Sequence, residues 1–181
     1  MRRLILVGAA VVATMGGCAT TGPAPTAGPA TPSSPFNATD VAWLQLVVPM
    51  TENALSAARL APQRTASPAV RTAAESVAAP AERLLTRLKS ARDRAGLPAA
   101  DVHSGHRMPG MVTAADLVTL RTGSGAEFDQ RLVALLRAHA AQLVVLAKGE
   151  QASGADAETK RLAGEVGADG SRQERVLEKT A

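Results

Sequence analysis

Asp40-Val-Ala-Trp-Leu-Gln-Leu and Asp129-Gln-Arg-Leu-Val-Ala-Leu open two stretches whose apolar residues keep one phase at a constant separation of 89 positions. At that separation Leu46 stands opposite Leu135, Met50 opposite His139, Arg71 opposite Lys160, Ala74 opposite Ala163 and Val77 opposite Val166. Identities are sparse, but the phase never slips. Such a repeat predicts a duplicated supersecondary unit, each copy a helical hairpin that buries its apolar face on the other. The copies run from about 37 to 95 and from about 126 to 180.

Composition decides for helices over strands. The chain has two Phe, one Trp and no Tyr, while Ala, Leu and Val dominate. A pleated sheet draws on β-branched and aromatic residues at alternating positions, so this alanine-rich pattern predicts an all-α fold. The 181 residues suffice for one domain with appendages. The formal charge of +4 includes Arg2 and Arg3, and falls to about +2 if a leader carrying them is removed. Acids and bases are interleaved, which excludes the clustered basic face of a nucleic-acid binder.

The amino terminus reads as an address. Met1-Arg-Arg precedes an apolar run from Leu4 to Thr14, followed by Met15-Gly-Gly-Cys18. Eleven apolar residues are too few for a spanning helix, which needs roughly 20, but they suit the core of an export signal. Residues 1–18 are therefore expected to be a signal peptide. Cys18 is the only cysteine and has no disulfide partner in its own chain. Its position after two glycines resembles a lipoprotein processing site, which implies lipidation of Cys18 and a membrane partner. Met15 departs from the leucine usual three residues before such a cysteine. From 19 to 35 the chain is Pro, Thr, Ala, Gly and Ser without charge, with prolines at 23, 25, 29, 32 and 35. Proline at that density removes backbone donors and predicts a disordered tether. The expected location is the cell envelope, on its periplasmic or extracellular face.

Residues 36–181 carry the helical signals. Asn37 with Asp40 forms a capping box, and Phe36 with Val41 a hydrophobic staple. Ser67-Pro68 opens a return helix that Gly96 and Pro98 stop. Pro49 and Pro80 are expected to bend the helices that contain them. Thr113 with Asp116 starts a short crossover helix ending at Gly123, and Ser124 with Glu127 suggests another box. The last helix begins near Asp156 and carries Gly164, Gly167 and Gly170. Each costs roughly 1 kcal/mol against alanine, so this helix is expected to be the most loosely held.

Two groups of residues could carry chemistry. The connector places His103, His106, Met108 and Met111 within nine residues, a set of imidazoles and thioethers compatible with copper. Turn chemistry explains Pro109-Gly110 without a ligand, with both methionines plugging the bundle. His139 stands on an apolar face, and the repeat makes Met50 its equivalent, so the pair could meet in the core and hold Cu(I). A hydrogen-bonded buried histidine is the alternative. Asp40 and Asp129 are explained by helix-start electrostatics. No phosphate loop, serine elbow or paired-carboxylate motif occurs.

The run Phe36-Asn-Ala-Thr-Asp-Val-Ala-Trp-Leu-Gln-Leu-Val-Val-Pro-Met-Thr, then His106-Arg-Met-Pro-Gly-Met111, then Ser124-Gly-Ala-Glu-Phe-Asp129 with Arg137-Ala-His139, resembles the domain-of-unknown-function 305 family. The resemblance covers Phe36 to about Lys179. It implies a ferritin-like four-helix bundle of two duplicated hairpins with a short crossover helix, exported to the bacterial envelope, with copper or silver binding in some members. The family's signature is a His-His pair in each half, supported by Gln, Glu and Met on the return helices. Here those pairs read Met50-Thr51 and His139-Ala140, and the supporting positions read Pro80, Arg83 and Arg87, then Asp169, Arg172 and Val176. The resemblance thus implies a degenerate metal site, with arginines where ligands would repel a cation. The expectation is a lipid-anchored, non-enzymatic binding or structural module without a cofactor and with no nucleic-acid partner, its protein partner unspecified. Copper binding or tolerance is the alternative.

Overall fold

The computed structural model describes residues 34–103 and 105–180. The signal peptide, Cys18 and most of the tether lie outside the described residues. Among those described there is no strand, and the elements are α1 (Ala38–Ala58), α2 (Ala61–Arg64), α3 (Pro68–Arg94), α4 (Ala114–Thr122), α5 (Gly125–Ser153) and α6 (Ala157–Glu178). The fold is the expected all-α bundle, with α1–α3 and α5–α6 as its two hairpins.

Local chemistry sets the helix ends. Asn37 and Asp40 form the predicted box at α1, and Thr113 and Asp116 that at α4. Ser67 accepts from the backbone N–H of Val70, and Asp156 from that of Thr159. These two N-caps are themselves 89 residues apart, so the duplication is written in the backbone as well as in the apolar phase. Ser124 is the N-cap of α5 but makes no side-chain cap bond, so the predicted box is not formed. The chain enters α5 through Gly125 at φ 62°, a left-handed conformation that glycine adopts without strain. Helices α1 and α3 run unbroken through Pro49 and Pro80, both buried.

The hairpins pack with α1 against α3 and α5, and α6 against α5 and α3. The start of α1, the end of α3 and the α5–α6 turn share one end of the bundle, where Arg94 reaches Asp156 at 3.7 Å and stands 5.9 Å over the Phe36 ring. The connector and α4 carry the chain back to the far end, so the second hairpin enters opposite to the first. The core forms two apolar clusters. Trp43, Leu44, Val47, Leu88, Leu143 and Leu162 lie in one, and Ala54, Val77, Phe128, Leu132, Leu136 and Leu177 in the other.

The glycines of α6 do more than weaken it. A Cβ on Gly167 would lie 2.8 Å from the Cβ of Ala147, and one on Gly170 2.9 Å from the carbonyl oxygen of Ala140. Both are places where α6 approaches α5 too closely for any side chain. The expectation of a loosely held helix rested on propensity alone. It omitted this seam, whose close packing offsets the helical cost of glycine.

Candidate functional site

Between the two apolar clusters lies a polar layer. Thr51, Pro80, His139, Asp169 and Gln173 line a void of about 10 Å³ together with Val77, Ala81, Leu84, Leu143 and Val166. Of the signature positions named above, Thr51, Pro80, His139 and Asp169 meet here. The void has room for nothing larger than a water molecule or a bare ion.

His139 is fully buried on α5. Its Nδ1 has no hydrogen-bond partner, and the backbone carbonyl of Gly110 lies near the ring. Burial pulls its pKa down to about 4, against the opposing pull of that carbonyl, so the imidazole is neutral at pH 7. The Pro109-Gly110 turn is seated directly on α5. Gly110 has φ 70°, and a Cβ there would fall 2.6 Å from the carbonyl oxygen of Ala138. Glycine is required both by the conformation and by the contact.

Met50, the other residue expected in the core site, is buried but does not line this void. It is 0% accessible, and its neighbour Thr51 lines the void instead. Thr51 stands one residue on, about 100° further round a helix of 3.6 residues per turn, and presents its side chain to the void. Thr51 donates to the carbonyl of Val47 at 2.7 Å. Gln173 leaves a buried Oε1 without a partner, and Asp169 pairs with Arg172. Among the described residues no three His, Cys, Asp or Glu side chains are grouped to hold a metal. The core set of one imidazole, one amide and one engaged carboxylate does not fit a copper or silver ion.

The arginines do not enter this layer as expected. Arg83 and Arg172 are exposed, and Arg87 bonds Glu165 at 2.6 and 2.9 Å and lies 3.5 Å from Glu158. Arg87 is paired on the outside of the bundle, and Arg172 reaches the buried Asp169 from its exposed position.

The connector residues divide. His103, His106 and Met111 line one cleft of about 380 Å³ with Asn53, Asp101 and Arg107, whereas Met108 does not line it. The imidazole centroids are 6.4 Å apart. Turn bonds hold them there, with the N–H of His103 donating to Asp101 at 2.8 Å and that of His106 to the His103 carbonyl at 2.9 Å. Met111 is buried and Met108 half-buried, in keeping with their plugging role.

A buried acid pair escaped the sequence reading. Asp40, fully buried, accepts the N–H groups of Asn37 at 2.7 Å, Ala155 at 3.0 Å and Asp156 at 3.1 Å. Burial pushes its carboxyl up, but those amides and the side chain of Glu150 outweigh it and hold it below the usual range. Glu150 is 1% exposed, and burial together with Asp40 raises it to about 8. The repeat could not reveal it, because the residue equivalent to Glu150 is Ala61. Asp129, the equivalent of Asp40, forms no such cradle: its Oδ1 is buried without a partner, and the N–H of Ser67 goes to Thr65 at 3.0 Å.

Comparison with known proteins agrees with this architecture. The chain superposes on the crystal structure of a DUF305 fragment from Deinococcus radiodurans with a TM-score of 0.71 at 21% identity, covering 80% of this chain and 96% of that one. A DUF305 protein from Streptomyces coelicolor, expected to be secreted, gives a TM-score of 0.66 at 22% identity, over 77% and 89% of the two chains. The search of curated proteins gave no match. The sequence model of the domain of unknown function DUF305 matches residues 40–180, and the chain therefore belongs to the DUF305 family.

Proposed function

We propose that this protein is exported and lipid-anchored at Cys18, and that its bundle acts in the cell envelope as a non-enzymatic binding or structural module. The observation that carries the non-metal part of this reading is the polar layer. Four of the signature positions, Thr51, Pro80, His139 and Asp169, meet with Gln173 at a void of about 10 Å³ that offers one free imidazole nitrogen and one free amide oxygen. Closed metal sites use three or four ligands. The export part rests on the apolar run before Cys18 and on the uncharged, proline-rich stretch after it. The likeness to a Streptomyces coelicolor protein expected to be secreted supports the same direction.

Fractionation of cells tests the anchor. The native protein is expected in the membrane fraction and the Cys18→Ser variant in the soluble one. A variant that still sediments with membranes would overturn lipid anchoring.

A second reading is favoured by one observation, the cleft that gathers His103, His106 and Met111. Two imidazoles and a thioether suit Cu(I), a soft ion, although Arg107 lines the same cleft. Under the first reading the mature protein withdraws no Cu(I) from a competing chelator. Withdrawal that disappears when His103 and His106 become Ala and Met108 and Met111 become Leu would replace the structural reading with copper binding.

A further inference from the structure

The end of the bundle where the chain emerges from residues 1–37 is stitched across two elements. The carboxylate of Asp40 on α1 holds the N–H groups of Ala155 and Asp156 in the α5–α6 turn. Asn37 adds a bond from its Nδ2 to the carbonyl of Ser153 at 2.7 Å. Beneath them lies the carboxyl of Glu150, buried against Asp40, with neither oxygen engaged by any other group. The turn folds over it so tightly that a Cβ on Gly154 would sit 2.7 Å from the Glu150 Cδ.

Two carboxyls in contact and out of water cannot both carry charge without strong repulsion. Asp40 is the one kept ionised, because backbone amides from α1 and from the turn converge on it. Glu150 must then hold a proton and donate it to Asp40. We propose that this pair is a proton-dependent clasp: while Glu150 is protonated it locks the first turn of α1 to the α5–α6 turn, and its ionisation loosens that end of the bundle.

The surrounding charges set the direction. Asp156, at the head of α6, adds negative potential, but Arg94 of α3 reaches it at 3.7 Å. Lys160 of α6 is the cation that favours ionised Glu150. With a raised carboxyl, the folded state binds the proton that the unfolded chain has already released. The clasp therefore weakens as pH rises from the ordinary carboxyl range through about 8, opposite to the acid loss expected of Asp40. The equivalent turn of the first hairpin lacks the device, since Ala61 stands where Glu150 does in the second and Asp129 accepts from neither Ala66 nor Ser67.

Amide exchange on the full mature chain, corrected for the intrinsic effect of pH, tests the proposal. Protection at Ala155 and Asp156 is expected to fall about tenfold or more between pH 6.5 and 9.5, while Val77 and Leu136 in the core stay protected. Glu150→Gln keeps a donor facing Asp40 and cannot ionise, so its protection at those two amides is expected to stay level. Equal loss in the variant, constant protection in the native chain, or parallel loss throughout the core would each overturn the clasp. The carboxyl carbon shift of Glu150 gives a reading that needs no variant: a midpoint between pH 7 and 9 is expected, and one below 6 sinks the idea. None of these readings depends on whether Cys18 is lipidated or on what the bundle binds.

Discussion

Replacing both Gly167 and Gly170 with leucine is expected to destabilise the bundle by about 3 kcal/mol or more. On helical propensity alone the change has the opposite sign, since leucine is better than glycine by up to ~1 kcal/mol at each site. Sterics decide. The Cβ at Gly170 would meet a backbone oxygen at 2.9 Å, and that at Gly167 would meet the Cβ of Ala147 at 2.8 Å. Neither obstacle is the free end of a flexible side chain, so the helices themselves must separate. Overpacking of this kind costs roughly 1–3 kcal/mol per site before longer side-chain atoms are added. Gly164 supplies the internal control. The nearest atom to its Cβ is the Nε2 of Gln151 at 2.9 Å, a side-chain end that swings away, so Gly164→Ala is expected to be neutral or to gain up to ~1 kcal/mol. Urea unfolding of the two variants separates the explanations. If both gain stability, the glycines of α6 are mere propensity defects and the close seam does not exist.

That contrast also marks what could be read from the residues alone. Helix starts at Asn37, Ser67, Thr113 and Asp156 were legible because the side chain that caps a helix and the amide it serves are two or three residues apart. The apolar faces were legible for a similar reason. Leu88 and Leu177, equivalent by the repeat, are both fully buried. What could not be read depends on rotation or on distance along the chain. Met50 and Thr51 both fall within the broad stripe of α1, and only the packed bundle decides that Thr51 faces the void. Arg83, Arg87 and Arg172 were placed inward by family equivalence, while the long guanidinium stems carry their charge to the surface, where Arg87 finds Glu165. The burial of Glu150 required knowing that residues 110 positions earlier in the chain fold over it. Short α2 escaped because its N-cap, Leu60, has no side-chain acceptor and its four residues are too few to show a period.

The two halves have thus diverged in chemistry while keeping one geometry. Equivalent return helices begin at Ser67 and Asp156 and bury equivalent residues. The polar groups differ at each matched place: Glu150 against Ala61, His139 against Met50, Gln173 against Leu84. Duplication fixes the backbone, and the residues exchanged afterwards put the proton-binding groups of the interior, Glu150 and His139, into the second hairpin alone.

His139→Met tests the polar layer through its acid response, and methionine is the residue that already occupies the equivalent site at position 50. In the native chain the imidazole has a folded pKa of about 4 against an ordinary value of 6.5. The unfolded chain therefore takes up a proton as pH falls below 6.5 while the folded one refuses it, and stability is lost through that window until the folded group also titrates. The loss from this residue reaches about 3 kcal/mol near pH 4. Asp169 on the same void does not relieve it, because Arg172 engages its carboxylate. Methionine removes the titration but forfeits the imidazole's contact with the Gly110 backbone and must fit a site shaped by another side chain, at a cost of roughly 1–2 kcal/mol at neutral pH. The variant is expected to be the weaker protein at pH 7, to cross the native one near pH 5, and to be the stronger at pH 4. The other carboxyls that lose stability in acid, Asp40, Asp116, Glu158 and Glu165, are common to both chains and cancel in the difference. Urea midpoints measured from pH 7 to pH 4 read that difference directly. Parallel loss in the two proteins would mean that the imidazole already carries its proton or meets solvent in the folded state, and the neutral, buried layer between the two clusters would have to be abandoned.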